Sequence, residues 1–228
     1  MNGLAKITLC LLSILASSAV AQVRSVRGGA GFLYLGPAQW PGAGMAVQQL
    51  NPWATSTSND HYLLMGSELY WQHKQWLFGL GASALVNKRV NQLPAGTSIE
   101  SSASNGHIWI GRIVWQGQRA KLYPSLAPGI SAFNVNSTTA GSKHTTHTLD
   151  GFSADIGLSF DWLLLGNKTD KTLLAGPMLK IQAGYRFMTA SSEWHGDLND
   201  PASITTNRYA PRGFYLTLGI GGGGFRIR

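Results

Sequence analysis

Charge is scarce in this chain. Only 12% of its 228 residues are Asp, Glu, Lys or Arg, about half the ~25% of an ordinary soluble domain. Cysteine is scarcer still. The single one, Cys10, lies in an apolar N-terminal stretch, so the rest of the chain has neither disulfides nor thiol chemistry. Long apolar runs are missing as well: nothing after residue 21 approaches the ~20 consecutive apolar residues of a membrane helix. Acidic residues are few, 10 against 18 Lys and Arg. The basic excess is dispersed rather than gathered in one patch, which argues against nucleic acid as a partner.

The N-terminus accounts for the place of Cys10. Lys6 gives a positive start, Ile7 to Ala16 are mostly apolar, and Ala19-Val20-Ala21 has the small-x-small pattern of a cleavage site. Residues 1–21 therefore read as a secretory signal peptide and 22–228 as one exported domain. Ile7-Thr8-Leu9 before Cys10 lacks the small residue of a lipid-anchor site. For an exported chain, the basic balance suits an anionic membrane or lipopolysaccharide surface.

What the chain does have is glycine, 28 residues, tryptophan, 8 residues, and alternation. From Phe152 to Leu164 one face reads Phe152, Ala154, Ile156, Leu158, Phe160, Trp162 and Leu164; the other reads Ser153, Asp155, Gly157, Ser159, Asp161 and Leu163. A period of two sorts residues this way on a strand and not on a helix. The run also exceeds the usual ~5–6 residues of a strand and suits a tilted membrane strand of ~9–11. Seven further strands are expected near 27–36, 60–72, 75–87, 106–116, 119–133, 174–188 and 213–227. Their connections alternate. Short turns fall at 73–74, 117–118 and 166–171, and long polar loops at 37–59, 88–105, 134–150 and 189–212. That rhythm predicts an all-β fold, an eight-stranded antiparallel up-and-down transmembrane β-barrel. A secreted β-sandwich would use shorter strands.

In its signal peptide, its alternating strands and its aromatic strand ends (Trp71, Trp76, Trp109, Trp115, Trp162 and Tyr185) the chain resembles the eight-stranded outer-membrane β-barrel superfamily. The resemblance is architectural and spans nearly all of 23–228. It implies the outer membrane of a Gram-negative bacterium. It also implies lipid and lipopolysaccharide as surroundings, and barrel-assembly machinery as a partner during biogenesis. Nothing calls for a cofactor or for more than a monomer. Many such barrels end in phenylalanine, whereas this chain ends Phe225-Arg226-Ile227-Arg228. The glycine run 221–224 shifts the apolar parity, which predicts a bulge or bend there.

If the apolar faces meet lipid, Glu68, Arg112, Asp155, Asp161, Lys180 and Arg186 point inward. Eight strands leave room for little beyond side chains, so these charges are expected to pair as a structural core; a proton or ion path is the sharper alternative. The motif-like residues carry less. Gly219, Gly221 and Gly224 match G-x-G-x-x-G, but a dinucleotide site would need a helix after them. His144 and His147 are too few for a metal site. Ser192, Glu193, His195 and Asp197 are the parts of a nucleophilic site, yet sequence neighbours rarely assemble one. In loop 37–59, Trp40, Met45, Val47, Leu50 and Trp53 are unusually apolar; they suit a cap over the mouth or an adhesive surface, with Trp40 and Trp53 as anchors. The reading is a non-enzymatic barrel with a structural, adhesive or ligand-binding role through its outer loops. The alternatives are a lipid A-modifying enzyme and a narrow pore.

Overall fold

The computed structural model describes residues 26–41, 43–50, 60–89, 97–139, 144–164, 167–170, 173–189, 191–196 and 204–227. The expected signal peptide and Trp53 lie outside them. The long strands are β1 (Val26–Gln39), β2 (His61–His73), β3 (Trp76–Arg89), β4 (Thr97–Arg112), β5 (Ala120–Thr139), β6 (His144–Leu163), β7 (Leu173–Met188) and β8 (Arg212–Ile227). Each pairs antiparallel with the next, and β8 returns to β1 with Val26 opposite Ile227. The sheet is thus a closed eight-stranded barrel without a long free edge. Two short segments, Trp115–Gln116 and Asn167–Asp170, add to β5 and β7 at the short-turn end. A small hairpin of Ser191–Trp194 and Ile204–Tyr209 stands at the other end. The helix α1 (Ala43–Leu50) follows β1.

Alternation places the side chains. On β6, Phe152, Ile156, Leu158 and Trp162 are exposed, while Ser153, Asp155, Ser159 and Asp161 are buried. On β8, Phe214, Leu216, Leu218 and Ile220 face outward. The outer wall between the two ends is therefore apolar, and the polar and charged side chains of these strands turn into the lumen, the arrangement lipid requires. At the short-turn end Trp71, Trp76, Trp115 and Trp162 are exposed on the outside, with Trp115 stacked on Phe160. Such a girdle marks the membrane interface.

Three expectations are corrected. Trp109 is not in the girdle: it is buried in the lumen and stacks on Tyr123 with centroids 5.9 Å apart. The glycine run carries no bulge. Its register with β7 and β1 is unbroken, and Phe225 simply points inward, where Lys121 Nζ sits 4.0 Å from its ring centroid. The polar stretches 88–105 and 134–150 are largely strand, since β4 starts at Thr97, β5 runs to Thr139 and β6 starts at His144.

The extra strand length inverts the pattern. Beyond Ile130 and Phe152 the outward residues become Asn134, Asn136 and Thr138 on β5, and Asp150, Thr148 and Thr146 on β6. The inward residues become Phe133, Val135 and Leu149, all buried. Above the lipid the outer surface meets water, so polar side chains turn out and apolar ones in.

Inward glycines make room for inward rings. Gly79 lies against Trp109, and Gly184 against the Tyr215 phenol. A Cβ at Gly184 would collide with that phenol and reach 3.0 Å from the Ile156 carbonyl oxygen. Overpacking of this kind costs about 1–3 kcal/mol. Gly184→Val should therefore lower the urea midpoint of the barrel in detergent. Gly106→Ala, at an outward position where a Cβ meets nothing within 4 Å, should leave the midpoint unchanged.

Candidate functional site

The lumen is built in three levels. At the short-turn end, Phe32, Tyr70, Leu77, Trp109, Tyr123, Leu163 and Met178 form an apolar cluster, and charged groups are threaded into it. Lys180 pairs with Glu68 and donates to the Tyr123 hydroxyl oxygen at 2.8 Å. Its Nζ lies 5.2–5.8 Å from the ring centroids of Phe32, Tyr70, Trp109 and Tyr123. Asp161 is fully buried. It accepts from Tyr70 Oη at 2.6 Å and from Tyr123 Oη at 3.2 Å, with Lys121 and Lys180 each 3.9 Å away. Lys121 also donates to Gln72 Oε1 at 3.0 Å.

At mid-height the groups are polar. Arg186 grips Asp155 with two parallel bonds, Nε to Oδ1 and Nη2 to Oδ2, both 2.7 Å. Its Nη1 donates to Ser83 Oγ at 3.1 Å. This fork geometry is the strongest form of the pair. Asn105 donates to Ser131 Oγ and Ser153 Oγ, each at 2.8 Å, and accepts from His107 Nδ1 at 2.6 Å. A cavity of about 20 Å³ remains among Glu68, His107, Asp155, Ser159, Lys180 and Arg186. That is room for about one water.

At the outer end the lumen is sealed by apolar side chains. Trp40, Tyr62, Leu64, Leu85, Ile99, Phe133, Val135, Leu149, Trp194 and Tyr215 form one cluster, into which α1 inserts Ala43, Ala46 and Val47. Trp40 meets Phe133 at 6.1 Å, and Phe133 meets Trp194 at 6.0 Å. Tyr209 packs on the cluster from the hairpin, and burial raises its pKa above the usual phenol value. Trp40 is thus a buried anchor of a cap and not a projecting adhesive group. Met45, in α1, and Trp53 have side chains outside the described residues.

Of the six charges assigned to the lumen by sequence, Glu68, Asp155, Asp161, Lys180 and Arg186 are buried there. Arg112 is not. Even positions of β4 face outward, with Ile108 67% exposed, so Arg112 lies outside, its guanidinium 5.8 Å from the Trp76 ring centroid. Lys121, Gln72, Ser83, Asn105 and His107 belong to the interior network and were not singled out. The parity of their strands could have found them.

The motif-like residues do not assemble into sites. Gly219, Gly221 and Gly224 lie within β8, paired to β1 and β7, and not at a strand-to-helix turn. His195 is exposed, and its Nε2 lies 3.6 Å from the Asp150 carboxylate, on β6. Glu193 is exposed too, while the side chains of Ser192, Asp197 and His144 fall outside the described residues. Among the described residues, the hydroxyls near His107 sit in a lumen with no space for a substrate.

A closed eight-stranded barrel with an apolar wall, a lumen filled by side chains with its charges paired, and a tryptophan girdle is an outer-membrane β-barrel, and the bacterial outer membrane is where it resides. The short turns then lie in the periplasm and the capped mouth outside. No protein-family model matches the chain, and no curated protein matches it. Among solved structures it is similar to the attachment invasion locus protein Ail of Yersinia pestis in complex with the heparin analogue sucrose octasulfate. That match has 10% identity, 87% of this chain and 99% of that one covered, and a TM-score of 0.44. It is also similar to the outer-membrane protein OprG of Pseudomonas aeruginosa (12%, 90% and 97%, 0.38) and to the outer-membrane protease OmpT of Escherichia coli (6%, 92% and 100%, 0.36).

Proposed function

We propose that this protein is a non-enzymatic outer-membrane barrel that binds ligands or surfaces through its extracellular part, after export directed by residues 1–21. The observation that carries the reading is the filled lumen under a sealed mouth. Among the described residues the lumen keeps cavities of only about 20 Å³ at mid-height and about 50 Å³ at the periplasmic end beneath an apolar plug, too little for a solute path or a reaction chamber. What it offers to the outside is a rigid wall. From Ile130 to Thr138, β5 continues about 25 Å past the apolar belt at ~3.3 Å per residue, flanked by the outer parts of β4 and β6. Its outward face carries Asn134, Asn136 and Thr138 beside Glu100, Ser102 and Ser104 on β4 and Thr146 and Thr148 on β6. Thr148 donates to Asn134 Oδ1 at 2.8 Å. A hydroxyl- and amide-rich sheet with little charge suits polar contacts with an extracellular surface.

Below that face the wall has a depression of about 590 Å³ lined by Ala82, Ser104, Gly106, Ile130, Ala132, Asp150 and Phe152. It sits where the apolar belt gives way to the polar extension, the level of lipopolysaccharide in the outer leaflet, and fits the expected lipid surroundings.

The test is adherence of cells displaying the protein to a matrix-coated surface and to cultured epithelial cells. Ser102→Glu with Asn136→Glu changes only the outward polar face. Adherence should fall to the level of cells lacking the protein, with the barrel still folded. Lipid A mass spectra from the same cells should be identical with and without the protein. A changed acyl pattern would replace this reading with the enzymatic one.

A further inference from the structure

Among the described side chains, most of the exposed basic groups share one end of the barrel. Arg27, Lys74, Arg119 and Arg226 are exposed at the periplasmic end, and Arg112 lies half-buried beside them. The lumen carboxylates below that end, Glu68 and Asp161, are committed to Lys180, Lys121 and the tyrosines. The periplasmic turns carry one acidic residue, Asp170.

The register turns this excess into a row. Arg226 of β8 is the cross-strand partner of Arg27 of β1, Arg27 of His73 of β2, His73 of Trp76 of β3, and Trp76 of Arg112 of β4. All five occupy outward positions at one height, along the tryptophan girdle. Trp71 lies 6.4 Å from the His73 ring. Like charges directly opposite each other on paired strands are destabilising, and Arg226 and Arg27 form such a pair on an exposed face. An anion between two guanidiniums removes that cost, and phosphate is the group whose oxygens match the guanidinium fork.

We propose that this row, Arg226–Arg27–His73–Trp76–Arg112, is a binding site for the phosphate headgroups of anionic phospholipid in the periplasmic leaflet. The height decides the partner. Indole rings settle at the headgroup level, so the arginines beside them lie in the plane of lipid phosphates. They do not project into the periplasm toward the cell wall. Anionic lipid draws arginines at a membrane surface cooperatively with charge number, and a zwitterionic headgroup offers no net charge to draw them.

The test uses the refolded barrel in detergent, titrated with phosphatidylglycerol or phosphatidylethanolamine, with bound lipids counted by native mass spectrometry. Phosphatidylglycerol should bind about tenfold more tightly than phosphatidylethanolamine, as expected for several arginines at one surface. Arg27→Ser with Arg226→Ser should abolish most of that preference. Arg212→Ser, exposed at the extracellular end, should keep it. Each variant is checked for folding by its heat-dependent migration on detergent gels. In lipid-free detergent the double variant should unfold at the same urea concentration as the parent or a higher one, because only repulsion has been removed. Equal binding of the two lipids by the parent would overturn the proposal, as would a preference that survives the double substitution. Loss of binding to purified peptidoglycan in the double variant, with lipid preference unchanged, would assign the row to the cell wall and equally overturn it.

Discussion

Arg186→Leu is expected to destabilise the barrel by about 3–5 kcal/mol, because it leaves the Asp155 carboxylate buried without its cation. Both side chains are buried, and two 2.7 Å bonds hold them together. The desolvation of Asp155 is offset only while Arg186 is present. Asp155→Leu should cost a similar amount for the mirror reason. The double replacement should recover much of the loss, since a buried pair exchanged for apolar groups of like volume is often close to neutral. Arg112→Leu provides the contrast: its guanidinium lies outside over Trp76, where an interaction is worth about 0.5–1 kcal/mol. Urea unfolding in detergent, followed by tryptophan fluorescence, measures all four. Equal small effects from all of them would mean that the mid-height pair is not shielded from water.

The cap gives the second large effect. Trp194 is fully buried and Trp40 nearly so, and both pack on Phe133. Truncating a buried tryptophan to alanine costs about 3–5 kcal/mol through lost burial and the cavity left behind. Trp40→Ala carries a further consequence. Trp40 is the hinge between β1 and α1, its amide donates to the Asp60 carbonyl at 2.7 Å, and its carbonyl accepts from the Ala43 amide at 3.3 Å. Without the indole, Ala43, Ala46 and Val47 lose the surface they pack on. Proteolysis should then cut the 37–59 segment in the folded variant at a protease concentration that spares the parent, while the membrane-embedded strands stay protected.

The membrane part of this fold was legible because lipid enforces one rule along every strand. Phe152 to Trp162 alternates cleanly, and so does Phe214 to Ile220. Beyond the bilayer the rule inverts, and a strand there has no apolar outward face to mark it. On β6, Leu149 faces in where Phe152 faces out, so a search for one phase sees the stretch from His144 to Asp150 as polar loop. The same limit hid Thr97 to Ser104 on β4. Arg112 was misplaced because parity on β4 was set from the arginine. The outward Ile108 and Ile110 fix it the other way. Trp109 looked like a girdle residue because a tryptophan near a strand end suits either place. What holds it inside is the space over Gly79, a contact between neighbouring strands that no local pattern shows. Pairing was out of reach for the same reason: Lys180 meets Glu68 across the lumen, from strands far apart in sequence.

The account rests on a lumen that is filled, paired and capped. Single-channel recording in planar bilayers tests that most directly. The parent protein, inserted and folded, should show no conductance steps above baseline. Stable, repeated openings from the parent, absent when the protein is withheld, would contradict the account and make the barrel a pore.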